Sequence, residues 1–243
     1  MFLFLSVSLS AQQPAEGFDL LYRAEQAVRF LTADPLGQVY VVTPDNQLIQ
    51  YNVTGAITYR YQNFRHGALG WVDAGNPLNI LLFYPEFGQI IILDRTLSEI
   101  ARLNLPEMGF WDVPAVGRSA DNQIWLYDPV QTLIRKINLQ GMVLVEGQPL
   151  SLLLPEPPDP VWITERDQEI YLYDPEKGAL VFDPFGQYLK TVPTNGAEFL
   201  GTRNGWWPLQ NFPGELPEAA LSGVFQSGRL VLQTGTGFAV YTY

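Results

Sequence analysis

One unit of text occurs four times in this chain, and its spacing constrains the fold more than any other feature. The clearest copy is Asn122–Gly141 (NQIWLYDPVQTLIRKINLQG), with similar text at Gln38–Gly55, Asn79–Thr96 and Glu169–Gly186. In that copy Ile124–Tyr127 is a short β-branched and aromatic run, Asp128-Pro129 supplies turn chemistry, and Leu133–Leu139 alternates apolar with polar until Gly141 stops it. Each copy therefore reads as two strands and a turn.

The second-strand segments of the copies begin at residues 38, 79, 123 and 169, so they recur in steps of 41, 44 and 46. Four-stranded propeller blades have periods of about 40 to 50 residues. Ahead of each copy stands an apolar segment that opens on an aromatic: Phe30, Trp71, Trp111 and Trp162, offset from the copies by 8, 8, 12 and 7 residues. Behind each copy follows a further run, at Ala56–Tyr61, Glu99–Leu105, Met142–Val145 and Tyr188–Val192. Four strands per repeat follow. Phe199 with Gly205-Trp206-Trp207 repeats the aromatic spacing a fifth time, and Phe212–Gly223 reads as an insertion. The expected fold is an all-β propeller of four-stranded antiparallel blades. Five blades are favoured by the aromatic count, and six is the alternative if Phe225 heads a truncated repeat.

Both ends of the chain bear on closure of the ring. Phe18–Phe30 could make a strand, and Arg229–Tyr243 ends on an alternating strand with no fourth strand behind it. Pairing the two would complete one blade and cover its edges, which places Leu20 near Val240. Apolar residues at 47% are ample for a core, and residues 17–243 are read as a single domain.

Met1–Ser10 (MFLFLSVSLS) is apolar but too short for a bilayer, which takes about 20 residues. Residues 1–12 are read as a secretory signal segment, with a true start upstream supplying the missing positive region. The expected location is the periplasm or beyond. The Ala-Gln-Gln-Pro text that follows resembles mature starts of exported proteins in Bacteroidota-type bacteria. With no cysteine in the chain, neither a disulfide nor a lipid anchor on an N-terminal Cys is expected.

Charge narrows the partners. Fourteen basic residues are scattered among 25 acidic ones, a net charge of −11, whereas phosphate binding needs Lys and Arg concentrated on one face. Nucleic acid is excluded on that ground, anionic membrane surfaces are disfavoured, and no membrane-spanning segment is expected.

The inventory of reactive groups is short. Cys is absent and His66, in the loop text NFRHG, is the only histidine, which leaves no nucleophile–histidine pair and no Cys/His zinc site. His66 reads as a solvated loop residue. No phosphate-cradling glycine motif occurs. Carboxylates remain: Asp73, Asp112 and Glu165 lie on or just after first-strand segments, which in a propeller line the central channel. Such oxygens could hold Ca²⁺ or act as acid and base. Their offsets from the aromatics are two, one and three residues, which implies different depths or faces. Trp71, Trp111 and Trp162 would converge at one end of the channel, where aromatic clusters suit sugar or peptide binding, although inter-blade packing is the commoner use. Tyr127-Asp128-Pro129 and Tyr173-Asp174-Pro175 read as ordinary turn initiation.

Asn122-Gln123-Ile124-Trp125-Leu126, Gln38-Val39-Tyr40-Val41 and Glu169-Ile170-Tyr171-Leu172 resemble the second strands of the NHL, YVTN and PQQ-like β-propeller group. The resemblance covers about residues 29–193. It implies architecture and leaves activity open, because a superfold hosts many functions. No tryptophan-docking motif like that of quinoprotein enzymes occurs, and the Trp-Asp dipeptide stands once, at Trp111-Asp112. The chain is therefore expected to be a non-catalytic binding or assembly scaffold of the cell envelope, without a catalytic residue or resident cofactor. Its expected partner is a protein or peptide, with carbohydrate as a further option and strand capture at a blade edge as one mode. The competing class is a metal-assisted hydrolase or lyase, which would require Asp73, Asp112 and Glu165 to converge at the channel mouth.

Overall fold

A computed structural model describes residues 18–193, the backbone of 199–202 and 205–208, and residues 216–242. Residues 1–12, read as a signal segment, lie outside the described residues, as do the side chains of Trp206 and Trp207.

After β1 (Asp19–Ala24) come four up-and-down sheets of four strands each. The first is β2 (Phe30–Ala33), β3 (Val39–Val42), β4 (Gln47–Tyr51) and β5 (Ile57–Gln62); the second is β6 (Trp71–Asp73), β7 (Ile80–Tyr84), β8 (Gln89–Leu93) and β9 (Glu99–Asn104). The third is β10 (Val116–Arg118), β11 (Ile124–Asp128), β12 (Leu133–Ile137) and β13 (Val143–Glu146). The fourth is β14 (Trp162–Arg166), β15 (Glu169–Asp174), β16 (Gly178–Phe182) and β17 (Tyr188–Val192). A two-stranded hairpin follows, β18 (Phe199–Thr202) with β19 (Gly205–Pro208). The last sheet has the order β1-β22-β21-β20, with β20 at Ser222–Gln226, β21 at Arg229–Gln233 and β22 at Phe238–Thr242. The molecule is a five-bladed propeller.

The repeat folds as its text reads. β11 and β12 pair from Ile124↔Ile137 to Asp128↔Leu133, around the turn begun by Asp128-Pro129. Middle strands are buried on both faces because each blade lies between two others, which explains unbroken apolar runs such as Ile80–Tyr84. The period of two then divides the side chains between neighbours. Ile80 and Leu82 join Tyr40 and Leu48 against blade 1, whereas Leu81 and Phe83 join Ile124 and Leu126 against blade 3. Outer strands face solvent, and Ile57–Arg60 of β5 are all exposed.

The chain ends meet as their text implied. β1 pairs antiparallel with β22, Leu20 opposite Tyr241 and Tyr22 opposite Val240. Tyr22 and Ala24 pack on a cluster of Val41, Tyr51, Val231 and Phe238 that joins the last blade to the first.

Five blades are present, but two of the segments that led to that count lie elsewhere. Blade 3 starts at Val116; Trp111 stands outside any strand and is 59% exposed. The offset of twelve residues in that repeat, against seven or eight in the others, is the sign that its aromatic does not head a strand. Phe199 and Trp206-Trp207 likewise belong to the β18–β19 hairpin beside β20 and not to the last four-stranded blade. That blade begins at β20 and needs the very short hairpin Ser227-Gly228. Both residues have positive φ, 51° and 74°, the geometry that lets a two-residue turn follow the twist of its strands.

Each complete meander also carries a turn signature between its third and fourth strands. Asn52, Asp94, Asn138 and Asp183 each accept, on Oδ1, the backbone N–H groups two and four residues on. The underlying text is Asn/Asp-x-x-Gly at 52–55, 138–141 and 183–186, with Leu97 in place of glycine in blade 2. Leu97 holds the left-handed φ of 59° because its side chain is buried in the core between blades 1 and 2.

Candidate functional site

The first strands of all five blades, β2, β6, β10, β14 and β20, contribute to one cavity of about 500 Å³ on the propeller axis. Thr32, Asp73, Arg118, Thr164, Arg166 and Gln226 are among its walls, and Asp73, Arg118, Arg166 and Gln226 are the last residues of their strands. Toward the other end, Trp71 and Trp162 stack with ring centroids 5.9 Å apart and planes at 15°, and Trp162 stacks in turn on Tyr173 at 4.9 Å. These tryptophans are the first residues of β6 and β14, in blades 2 and 4. They meet past blade 3, whose inner strand is only three residues long and begins on Val116. Trp71 also forms part of the cavity wall. Two of the three tryptophans singled out in the sequence are thus brought together, and Trp111 is not.

Asp73 and Glu165 both stand in the cavity wall, and each is engaged by blade 3 from one of its two sides. Asp73 accepts the Arg118 backbone N–H at 3.0 Å on Oδ2 and the Gly75 N–H at 2.9 Å on Oδ1. Glu165 Oε2 accepts the Trp125 indole N–H at 2.7 Å and the Ala120 N–H at 3.3 Å. The turn that follows β10 is held between them. Asp112 lies in the loop before β10, in left-handed backbone with φ 53°, and is not part of the cavity wall. Among the described residues no three of His, Cys, Asp and Glu come together closely enough to hold a metal ion, so Asp73, Asp112 and Glu165 do not assemble as a cation cage.

Trp125 is fully buried, and without Glu165 its indole N–H would have no acceptor. Glu165→Ala is expected to destabilise the protein by about 2 kcal/mol, the cost of stranding a buried donor. Urea unfolding checks this: a loss under about 0.5 kcal/mol, the range of ordinary surface substitutions, would show that the contact carries little.

The cationic side of the cavity is what sequence reasoning missed. Arg118 is only 8% exposed; Nη1 donates to the Asn122 carbonyl at 3.4 Å, while Nε and Nη2 are buried without a hydrogen-bond partner. Burial lowers its pKa from the ordinary arginine value, and the Asp73 charge acts the other way. Arg166 is lowered for the same first reason, opposed by Asp167 and Tyr171. The indole nitrogen of Trp71 is also buried without a partner. The only trace of this in the text is an arginine that ends the short apolar segment Val116-Gly117.

His66 lies outside the cavity, in the loop between blades 1 and 2, with its ring 5.7 Å from that of Tyr84. It is half-buried rather than solvated, and burial holds its pKa below the usual histidine value. Asp128 and Asp174 initiate turns as read: Oδ1 of the first accepts the N–H groups of Val130 and Gln131, and Oδ1 of the second those of Glu176 and Lys177. Among the described residues no helix is long and apolar enough to cross a membrane.

No protein-family model matches the sequence, and no curated protein matches it. Solved structures do share the fold. One is a catalytically inactive histidine-to-alanine variant of virginiamycin B lyase from Staphylococcus aureus with quinupristin: 13% identical, covering 93% of this chain and 88% of that one, TM-score 0.58. Another is a Bacteroides thetaiotaomicron protein of unknown function, 9% identical over 93% of this chain and 75% of its own, TM-score 0.55. A third is the WD40 domain of Neurospora crassa Pan2, 11% identical over 92% and 66%, TM-score 0.53. At such identities the likeness is one of fold, a β-propeller.

Proposed function

We propose that this protein is an exported, non-catalytic binding propeller of the cell envelope that receives its partner, a protein or peptide, at the axial cavity. The observation behind this reading is that first strands from all five blades share one cavity of about 500 Å³, within the ~300 to 1,000 Å³ of small-ligand pockets. That volume admits an end or a side chain of a larger partner. Support for a non-catalytic role comes from the acids: Asp73 and Glu165 accept structural hydrogen bonds and hold blade 3 in place. Export rests on the apolar text of Met1–Ser10.

The lyase neighbour is the reason to consider an enzyme. A variant of that lyase lacking one histidine is catalytically inactive, whereas the single histidine of this chain stands outside the cavity. This weighs against carrying lyase chemistry over.

The test is capture of envelope proteins and peptides by the full chain, compared with a Thr164→Trp variant that fills the cavity. Wild type is expected to retain partners that the variant loses, with equal melting temperatures for the two. Capture that is indifferent to Thr164→Trp would remove the cavity from the function.

A further inference from the structure

We infer that the axial cavity recognises a carboxylate and that Arg118 is the residue that binds it. This rests on the binding reading above and adds the chemistry of the recognised group. A guanidinium has five N–H donors and no way to shed its charge. Arg118 has one long bond, to the Asn122 carbonyl, and its Nε and Nη2 have none. Those two nitrogens form the edge of the guanidinium that meets a carboxylate through two parallel hydrogen bonds.

The protein's own acids do not fill that role. Asp73, whose charge acts on Arg118, is engaged by the Arg118 backbone N–H and by Gly75, and no described acid forms an ion pair with the Arg118 side chain. In a chain with 25 acidic residues and 14 basic ones, a buried arginine left without a carboxylate is the less expected outcome. Buried charge without a partner is costly, and an incoming anion relieves that cost.

Two more features of the wall agree. Trp71 brings a third buried donor without an acceptor, and its ring offers an apolar surface to whatever carries the carboxylate. Arg166 adds a second cation to the wall. The free edge of Arg118 is shielded from solvent, so reaching it takes a rotation of that side chain toward the cavity it lines. A carboxylate on an apolar body fits this surface. Its source is either the C-terminus of a peptide or a small organic acid.

Calorimetric titration of the full chain with N-acetylphenylalanine, its neutral amide, benzoate, a pentapeptide with a free C-terminus and inorganic phosphate tests this. The acid is expected to bind at least about tenfold more tightly than the amide, as charge-assisted hydrogen bonds imply. Arg118→Met is expected to abolish that difference without lowering the melting temperature, because an unpaired buried cation is replaced by an apolar chain. Arg118→Lys is expected to recover part of it. Tighter binding of the pentapeptide than of benzoate would assign the carboxylate to a chain end, and the reverse to a small acid.

Equal binding of acid and amide, or phosphate binding as tight as the acid, would overturn the inference. So would Arg118→Met melting below wild type, since the guanidinium would then be structural, and so would no saturable heat from any probe. The wider binding reading is judged separately, by whether Thr164→Trp changes what the protein captures.

Discussion

A chain that begins after Ala24, and so lacks β1, is expected not to fold cooperatively. By itself β1 is mostly solvent-facing, with four of its six residues exposed. Its importance lies in what it covers. β1 supplies the fourth strand of the last blade along Asp19↔Thr242 to Ala24↔Phe238, and it inserts Tyr22 and Ala24 into the cluster that joins that blade to the first. The Tyr22 ring meets Phe238 edge-on at 6.0 Å, and Arg23 donates to both carboxylate oxygens of Glu218 at 2.7 Å.

Without β1 the edge of β22 is bare and the junction between the two ends of the chain loses side chains from one of its walls. A domain whose net stability is only about 5 to 15 kcal/mol does not withstand losing a strand, its ladder and part of an inter-blade core together. The measurement is a thermal melt followed by circular dichroism, and a truncated chain melting within about 5 °C of the full one would sink the argument. Joining Asp19–Ala24 through a flexible linker behind β22 is expected to restore folding. The closure entropy grows only slowly with loop length, so the strand can be supplied from either end.

Gly117→Ala is expected to cost about 3 kcal/mol or more, although it adds a single methyl group. A Cβ on Gly117 would stand 1.9 Å from the carbonyl oxygen of Ile163, a backbone atom in the inner strand of the next blade. That oxygen belongs to β14, which is tied to β15 from Trp162↔Tyr173 to Arg166↔Glu169, so relief requires moving blade 4 away from blade 3. The same movement would strain the Trp71–Trp162 stack and the bond from the Trp125 indole to Glu165. Because Gly117 is not among the residues with positive φ, the effect is steric and not conformational.

Gly235→Ala is the matching control. Nothing lies within 4 Å of its Cβ position, and its change is expected to stay within about 0.5 kcal/mol. Chemical unfolding of both variants decides the matter, and a Gly117→Ala penalty no larger than the control would show that β10 and β14 have room between them.

The case of Gly117 shows where reading from the sequence stops. Its neighbours in the text, Val116 and Arg118, mark a short strand end, but the reason for a glycine there is Ile163, which lies in the next blade. Asp73 and Glu165 follow the same pattern. Their types and positions suggested channel chemistry, yet each accepts hydrogen bonds from blade 3, forty-five or forty residues away in the chain. Trp111 misled for a related reason. It stands ahead of its copy as Trp71 and Trp162 stand ahead of theirs, but by twelve residues and not seven or eight, which leaves it in the loop before the strand.

What the amino-acid text determined by itself was the periodic part: strands, turns, four strands per blade, and a C-terminal strand that needed the N-terminal one beside it. These follow from side-chain alternation and turn chemistry, which act over a few residues and repeat with the blade. Tertiary structure alone decided which inner residues meet on the axis: that Trp71 stacks on Trp162, that two acids brace blade 3, and that Arg118 is buried with one edge of its guanidinium unpartnered. Those outcomes depend on how neighbouring blades face each other across the axis, a distance of one or more repeats in sequence, and no local pattern encodes the orientation of side chains brought together from so far apart.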